Sequence, residues 1–276
     1  MQAEILPADA VTTIGLGSSR KVWFPENLTE LKELVKMGLY PLGGGSNLVL
    51  KDEPDRELLS LKFLKKAEFN GNHLKLGAGV TLREILTLQS QKGFLLLEFL
   101  AGIPRATVGG LIAQNAGAFK KEVKELLESV TFITYNGEVA TLTKSEIEKS
   151  FGYRESPFPK TGVVVEAVFR ITPSPVNKVK RLIGHYLKKR LEKQPPPVKT
   201  AGSTFKNTPA GAAGLLLDRC GLKGFRVGGV KFSEKHANFT INEGGSFKEF
   251  EELIEIATQR VYSTYGVKLE LEVKVV

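Results

Sequence analysis

Cysteine is almost missing from this chain of 276 residues: Cys220 stands alone, which excludes an intramolecular disulfide. No apolar run approaches the roughly 20 residues needed to span a bilayer. The opening stretch MQAEILPADAVTTIG lacks the charged start, apolar centre and small-residue cleavage site of a leader. A soluble, cytoplasmic protein without a membrane partner is therefore expected. Low-complexity segments and repeats of fixed period are also missing, which excludes solenoids and propellers. What is present is ordinary globular material, 42 % hydrophobic and 25 % charged, enough for two modest domains with real cores.

Acidic residues fall short of basic ones, 30 against 39, and the formal charge of +9 raises a nucleic-acid reading. Most of that charge is interleaved with acids, as in KKEVKELLE and LTELKELVK, and reads as solvated helix faces. The exception is VNKVKRLIGHYLKKRLEKQ, where Val179, Leu182, Ile183, Tyr186, Leu187 and Leu191 follow a helical period opposite a basic face. A non-catalytic nucleotide or nucleic-acid binder rests on this helix alone, and no nucleic-acid partner is expected.

Local signals mix helices and strands. Leu28, Leu31, Leu34 and Val35 recur at helical spacing between Pro25 and Gly38. Capping boxes open helices at Thr81 with Glu84, Thr143 with Glu146 and Ser246 with Glu249, and Asn136-Gly137 marks a hairpin. LYPLGGGSNLVL reads as strand, glycine turn, strand; AGAAGLLLDRC as a small-residue helix; VKLELEVKVV as a period-2 strand. Pro173, Pro175 and the stiff Pro195-Pro196-Pro197 bracket the long basic helix and a domain boundary. The pattern predicts an α+β protein of two or three lobes.

Two glycine-rich stretches carry the chemistry. In GGGSN, Gly43, Gly44 and Gly45 free the backbone N–H groups to approach an anion, and Ser46 and Asn47 add donors before Leu48 continues as a strand. The run matches neither the Rossmann nor the P-loop fingerprint, which argues against the usual nicotinamide site; a plain tight turn is the alternative. In AGIPRATVGGLIAQNAGAF, Ile103, Pro104, Val108, Gly109, Gly110, Asn115 and Gly117 form a segment whose one charge is Arg105, suited to lie against a flat group. A buried loop between helices is the other reading. Together the stretches suggest a dinucleotide with its phosphates at the first and its rings at the second.

GGGSNLV, AGIPRATVGGLIAQNAGAF, FGYRESPF, AGSTFKN, GLKGFRVGGVKFSEKHANFTIN and LELEVKVV occur in the order found in the UDP-N-acetylenolpyruvoylglucosamine reductase family, which this chain resembles over nearly its whole length. The resemblance implies an FAD-binding domain of the vanillyl-alcohol-oxidase (PCMH) type over residues 1–174, in lobes of about 1–55 and 56–174. It implies an α+β substrate-binding domain over 175–276, whose strand 267–276 returns to the active site. Non-covalent FAD would be the cofactor and NADPH the co-substrate, with no metal. The substrate would be a UDP-sugar enolpyruvyl ether, reduced to UDP-N-acetylmuramate for peptidoglycan. A second flavin oxidoreductase reading uses oxygen as acceptor.

The resemblance also implies roles, each with a physical need. Charge pushed into the enolpyruvyl carboxylate calls for a fixed cation, and the planar fork of Arg154 grips a carboxylate in two places. Glu272, if protonated, would donate a hydrogen bond to the enolate, and Ser203 would deliver a proton to carbon. As a hydrolase nucleophile Ser203 is poorly placed, because GSTF is no G-x-S-x-G elbow and only His73, His185 and His236 could act as base. Lys206 and Asn207 would hold the substrate diphosphate, and Tyr153 would line the sugar or flavin pocket. The chain departs from the family at Arg105, where glycine is usual, at Leu271 and Thr208, where proline is, and in lacking room for a tyrosine-bearing lid loop.

Overall fold

The computed structural model describes residues 1–196 and 198–276, so the last proline of the 195–197 run lies outside the described residues. Two compact units form, and they interleave along the chain. One contains 1–4, 21–44 and 56–189; the other contains 5–20, 45–55 and 190–276.

The first unit is built on an antiparallel sheet whose strands lie in the order Val139–Thr143, Leu127–Thr134, Gly162–Arg170, His73–Gly77 and Ala67–Asn70. The hairpin at Asn136-Gly137 closes its first pair, with Gly137 at φ +86° as the tight connection requires. A smaller sheet sets Arg20–Phe24 and Tyr40–Leu42 in parallel on either side of Leu58–Ser60. The helix Leu28–Lys36 begins where Asn27 accepts from the Glu30 N–H, and buries Leu31, Leu34 and Val35. The helix Leu82–Lys92 has the complete capping box at Thr81 and stops at Gly93 in the left-handed region. Lys144–Ser150 is boxed in the same way by Thr143 and Glu146. Leu74, Leu76, Phe99, Val108, Ile112, Val130 and Phe169 are among the fully enclosed core residues.

In the second unit the strands run Thr200–Ser203, Phe239–Asn242, Val230–Phe232 and Arg226–Val227, all antiparallel. The helix Phe247–Tyr265, boxed by Ser246 and Glu249, buries Phe250, Leu253, Ala257 and Val261. Ile14, Leu16 and Val49 are buried in the same core. This is why 5–20 and 45–55 belong to this unit and not to a lobe spanning 1–55. Asn242, buried, donates to the Ile14 carbonyl at 2.9 Å, and buried Arg20 donates to the carbonyls of Lys51 at 2.6 Å and Val276 at 3.1 Å.

Other readings change as well. The basic helix Val176–Lys193 does form, but most of it belongs to the first unit, because Val179 is buried and Tyr186 packs on that core; Leu187 and Leu191 stay 38 % and 45 % exposed. VKLELEVKVV is not one strand. Leu271 bridges Phe205, the chain bends at Glu272 and Val273, and Lys274–Val275 then pairs in parallel with Leu48–Val49. Alternation sets which face a residue takes, but here two different partners claim successive parts of the segment and a bend must separate them. The second glycine stretch is not all loop: Val108–Ala113 is helical, with Thr107 as its N-cap accepting from the Gly110 N–H.

Candidate functional site

Each unit holds part of the residues singled out by the sequence. In the first, the two glycine stretches pack directly on each other. A Cβ on Gly43 would lie 2.8 Å from Thr107 Oγ1, and one on Gly44 only 1.6 Å from the Arg105 carbonyl oxygen. Arg105 itself sits at φ +56°, the left-handed conformation for which glycine is the natural occupant. Gly44 therefore serves first to let backbone meet backbone, and Gly43 to admit the Thr107 hydroxyl.

A third stretch, GAGVT at 77–81, not among those singled out from the sequence, joins them, running from the strand end at Gly77 to the capping box at Thr81. It pairs with the second: Leu82 N–H donates to Ala106, Val108 N–H to Val80 and Gly109 N–H to Ala78, at 2.8, 2.9 and 2.9 Å. Cβ atoms on Gly77 and Gly79 would collide with the carbonyls of Leu64 and Leu61 at 2.4 and 2.2 Å. Gly110 is different, since a Cβ there would meet nothing closer than 3.5 Å. Packing does not demand a glycine at 110; close approach of a bound group would. Val108 points into the core, whereas Ile103 is half-buried and Pro104 exposed.

Asn115, fully buried at φ +38°, spends its side chain inside the unit. Nδ2 donates to Glu122 at 3.0 Å and to the Gly152 carbonyl at 2.8 Å, and Oδ1 accepts from the Lys124 N–H at 3.1 Å. These bonds make its side chain a strut of the unit. The turn it braces carries Tyr153 and Arg154 at its tip, closed by reciprocal hydrogen bonds of 3.1 and 3.2 Å between Gly152 and Glu155. Arg154 adopts φ +58°, and its guanidinium lies 5.2 Å from the centre of the 45 %-exposed Tyr153 ring. Non-glycine residues held in this region concentrate at functional sites. Gly117 gives Arg154 its space: a Cβ there would fall 2.9 Å from Nη1.

The second unit assembles Ser203, Glu272, Asn47 and their supports. Gly45, at φ +68°, has no room for a Cβ, which would stand 2.0 Å from the Val11 carbonyl oxygen. Asn47 Nδ2 donates to the Glu272 carbonyl at 3.1 Å, the Asn47 carbonyl accepts from Lys274 at 3.0 Å, and Leu48 pairs with Lys274. The Glu272 N–H donates to Thr204, next to Ser203, at 2.8 Å. Ser203 and Glu272 are both half-buried. Gly202, at φ +83°, precedes the serine, and a Cβ on it would approach the Ser46 carbonyl to 3.9 Å.

Lys206 Nζ stands 3.4 Å from Glu270, and Asn207 Oδ1 accepts from the Ala213 N–H at 3.1 Å, which leaves its amide hydrogens for other partners. Leu271 sits where the bridging bonds come from its neighbours, Glu272 N–H to Thr204 and Lys206 N–H to Glu270. Its own N–H is not needed there, so the position suits proline as well. His236, beside Asn238, has its pKa lowered, first by burial. Among the described residues no group of three or more His, Cys, Asp or Glu could hold a metal ion, and no helix is long and apolar enough to cross a membrane.

Comparison with known proteins covers both units. Residues 20–143 match the family model described as an FAD binding domain, and 194–276 that of the UDP-N-acetylenolpyruvoylglucosamine reductase C-terminal domain. A UDP-N-acetylenolpyruvoylglucosamine reductase of Aquifex aeolicus is 37 % identical over 98 % of this chain and 94 % of its own length. One from Streptococcus pneumoniae strain JJA is 34 % identical over 99 % and 92 %. The crystal structure of the Thermus caldophilus enzyme superposes with a TM-score of 0.85 at 32 % identity, covering 100 % of this chain and 99 % of that one.

Proposed function

Because this chain belongs to the UDP-N-acetylenolpyruvoylglucosamine reductase family, we propose that it reduces UDP-N-acetylglucosamine enolpyruvate to UDP-N-acetylmuramate, with electrons from NADPH and with Arg154, Ser203 and Glu272 around the reacting double bond. It is a flavin-dependent oxidoreductase, and its reaction belongs to peptidoglycan precursor synthesis. FAD suits the surface made by Gly43-Gly44, GAGVT and residues 105–110, which is poor in side chains and carries at Gly110 a glycine that packing does not require. Gly45, Ser46 and Asn47 would add backbone and side-chain donors. When bound, FAD supplies hydride from N5 after reduction by NADPH.

The protein's own residues then handle charge and proton. Hydride at the terminal carbon of the enolpyruvyl group drives an electron pair towards the neighbouring carbon and its carboxylate. Arg154 grips that carboxylate through its planar fork, a fixed cation that needs no reorganisation as charge builds. Glu272, protonated, donates to the enolate oxygen. The Ser203 hydroxyl gives its proton to the carbanionic carbon, saturating the bond, and water returns a proton to the alkoxide. Lys206 and Asn207 bind the diphosphate, Lys206 exchanging Glu270 for phosphate, and Tyr153 lines the sugar or flavin pocket.

The observation that carries the reading is the shared frame of hydroxyl and carboxyl: Glu272 N–H bonds to the residue that follows Ser203, at 2.8 Å. Rapid-mixing absorbance of the flavin tests it. Ser203→Ala should be reduced by NADPH at the normal rate yet reoxidised by the enolpyruvyl substrate about 10²–10⁴-fold more slowly, the usual worth of a general acid. Equal loss in both half-reactions would overturn the assignment.

A further inference from the structure

We propose that Asn238 is a positioning residue of this reaction, holding the backbone rail from which Ser203 and Glu272 are both set. The inference rests on the proton-donor role of Ser203 argued above.

The strand Thr200–Ser203 cannot place its serine by ladder pairing alone. Its register with Phe239–Asn242 slips between Thr200 and Ser203, and Gly202 lies in the left-handed region at φ +83°. A kink directly before the serine leaves its position to be fixed from the residues after it. There the neighbouring strand Phe239–Asn242 has no further residue in ladder register, and the Phe239 N–H donates back to the His236 carbonyl. Asn238 takes over the role of the missing strand.

Its own carbonyl accepts from the Thr204 N–H at 2.7 Å. Its side chain then clasps the next residue on both sides: Oδ1 accepts from the Phe205 N–H at 2.9 Å, and Nδ2 donates to the Phe205 carbonyl at 2.8 Å. Asn238 and Phe205 are 3 % and 1 % exposed, so water cannot replace these bonds. Thr204 is steadied further by its hydroxyl, 2.8 Å from that of Thr240.

The opposite edge of the same two residues carries the carboxylate. Thr204 O accepts from Glu272 N–H, Lys206 N–H donates to Glu270, and Phe205 bridges Leu271. Residues 204 and 205 thus stand between Asn238 and Glu272. Loosening the carboxamide frees the rail, and with it the spacing between hydroxyl and carboxyl, while touching neither group.

The experiment follows the two half-reactions of the FAD-loaded enzyme, with NADPH and the enolpyruvyl sugar nucleotide as probes. Asn238→Ala should keep flavin reduction within about twofold and slow reoxidation by about 10–100-fold, the range that an ångström-scale misplacement costs. Its solvent deuterium isotope effect on reoxidation should rise, since proton delivery becomes the slow event. Asn238→Asp keeps volume and the acceptor for Phe205 N–H, but can donate to the Phe205 carbonyl only when protonated. Its reoxidation should therefore recover as pH falls, relative to wild type. If the alanine variant does not fold, the aspartate variant decides. Equal loss in both half-reactions, wild-type reoxidation, or an aspartate variant whose pH profile matches wild type each overturns the inference. Ser203→Ala, run alongside, separates the two readings: normal reoxidation there removes the proton-donor assignment itself, whereas slow reoxidation there with normal Asn238 variants removes only the positioning role.

Discussion

Gly44 and Arg105 meet backbone to backbone, so close that a Cβ on the glycine would overlap the arginine carbonyl at 1.6 Å. The first glycine stretch is thus fitted to the second before any ligand arrives. Gly44→Ala must push them apart, and overpacking of this kind costs about 1–3 kcal/mol. The expected result is a lower melting temperature together with a lower flavin-to-protein absorbance ratio after purification. Unchanged values of both would show that the stretches can part freely.

Arg105 offers a cleaner backbone test. Its φ of +56° is a conformation that costs an L-residue with a Cβ about 1–2 kcal/mol relative to glycine, offset in part by glycine's greater freedom when unfolded. Arg105→Gly should therefore be more stable than Arg105→Ala by roughly 1 kcal/mol in urea titrations. Both variants lack the guanidinium, so the difference reports the backbone alone. Equal midpoints would refute the strain.

Gly117 controls the space of Arg154. A methyl group there meets Nη1 at 2.9 Å and the Lys121 carbonyl at 2.8 Å. With Arg154 in the role proposed above, Gly117→Ala should slow reoxidation by substrate about tenfold or more beyond any effect on flavin reduction, equivalent to about 1.4 kcal/mol. Arg154→Lys, which keeps the charge without the fork, should fall in the same half-reaction. A Gly117→Ala enzyme with normal reoxidation would disconnect the two residues.

Tyr40 predicts an alkaline limit. Burial first, then the neighbouring Tyr135, pushes its hydroxyl up from 10.0 to about 12, so the folded state holds the proton longer than the unfolded chain does. The resulting stability is fully present below pH 10 and is lost as pH rises towards 12, by an amount on the order of 2 kcal/mol. Tyr40→Phe should flatten this slope in urea melts between those pH values. Parallel slopes for the two proteins would locate the loss elsewhere.

His236 predicts an acid limit with the opposite sign. Burial holds its pKa below the usual 6.5, and its Nδ1 accepts from the Asn238 N–H at 3.3 Å, which requires the neutral ring. The unfolded chain takes up the proton first as pH falls, so stability present above 6.5 declines below it. His236→Asn, which does not titrate, should lose less stability than wild type on going from neutral to mildly acid solution.

What could be read from the sequence was mostly local. The boxes at Thr81, Thr143 and Ser246 and the turn at Asn136-Gly137 are closed within four residues, so their chemistry lies in the string itself. The ordered motifs brought the family and the α+β class. Hidden were features set by distant partners: the bend that divides VKLELEVKVV between Phe205 and Leu48, and the service of Asn115 as a strut for the Arg154 turn. The sequence presents the glycines as openings for a ligand, whereas Gly44 and Gly45 first make room for the protein's own backbone and Gly43 for the Thr107 hydroxyl. Asn238 is one polar residue in KHANF, and nothing nearby in sequence announces a clasp on Phe205.

The threading of segments 5–20 and 45–55 into the unit completed by 190–276 has a consequence for biosynthesis. Ile14, Leu16 and Val49 leave the ribosome long before the helix Phe247–Tyr265 exists to cover them, and contacts of such long sequence separation are slow to form. During that interval three of the core's apolar side chains wait in solvent, exposed to chaperones and to aggregation. For the same reason residues 190–276, severed and expressed alone, would emerge with a gap where those side chains belong, and a strand with no Leu48–Val49 to lie beside.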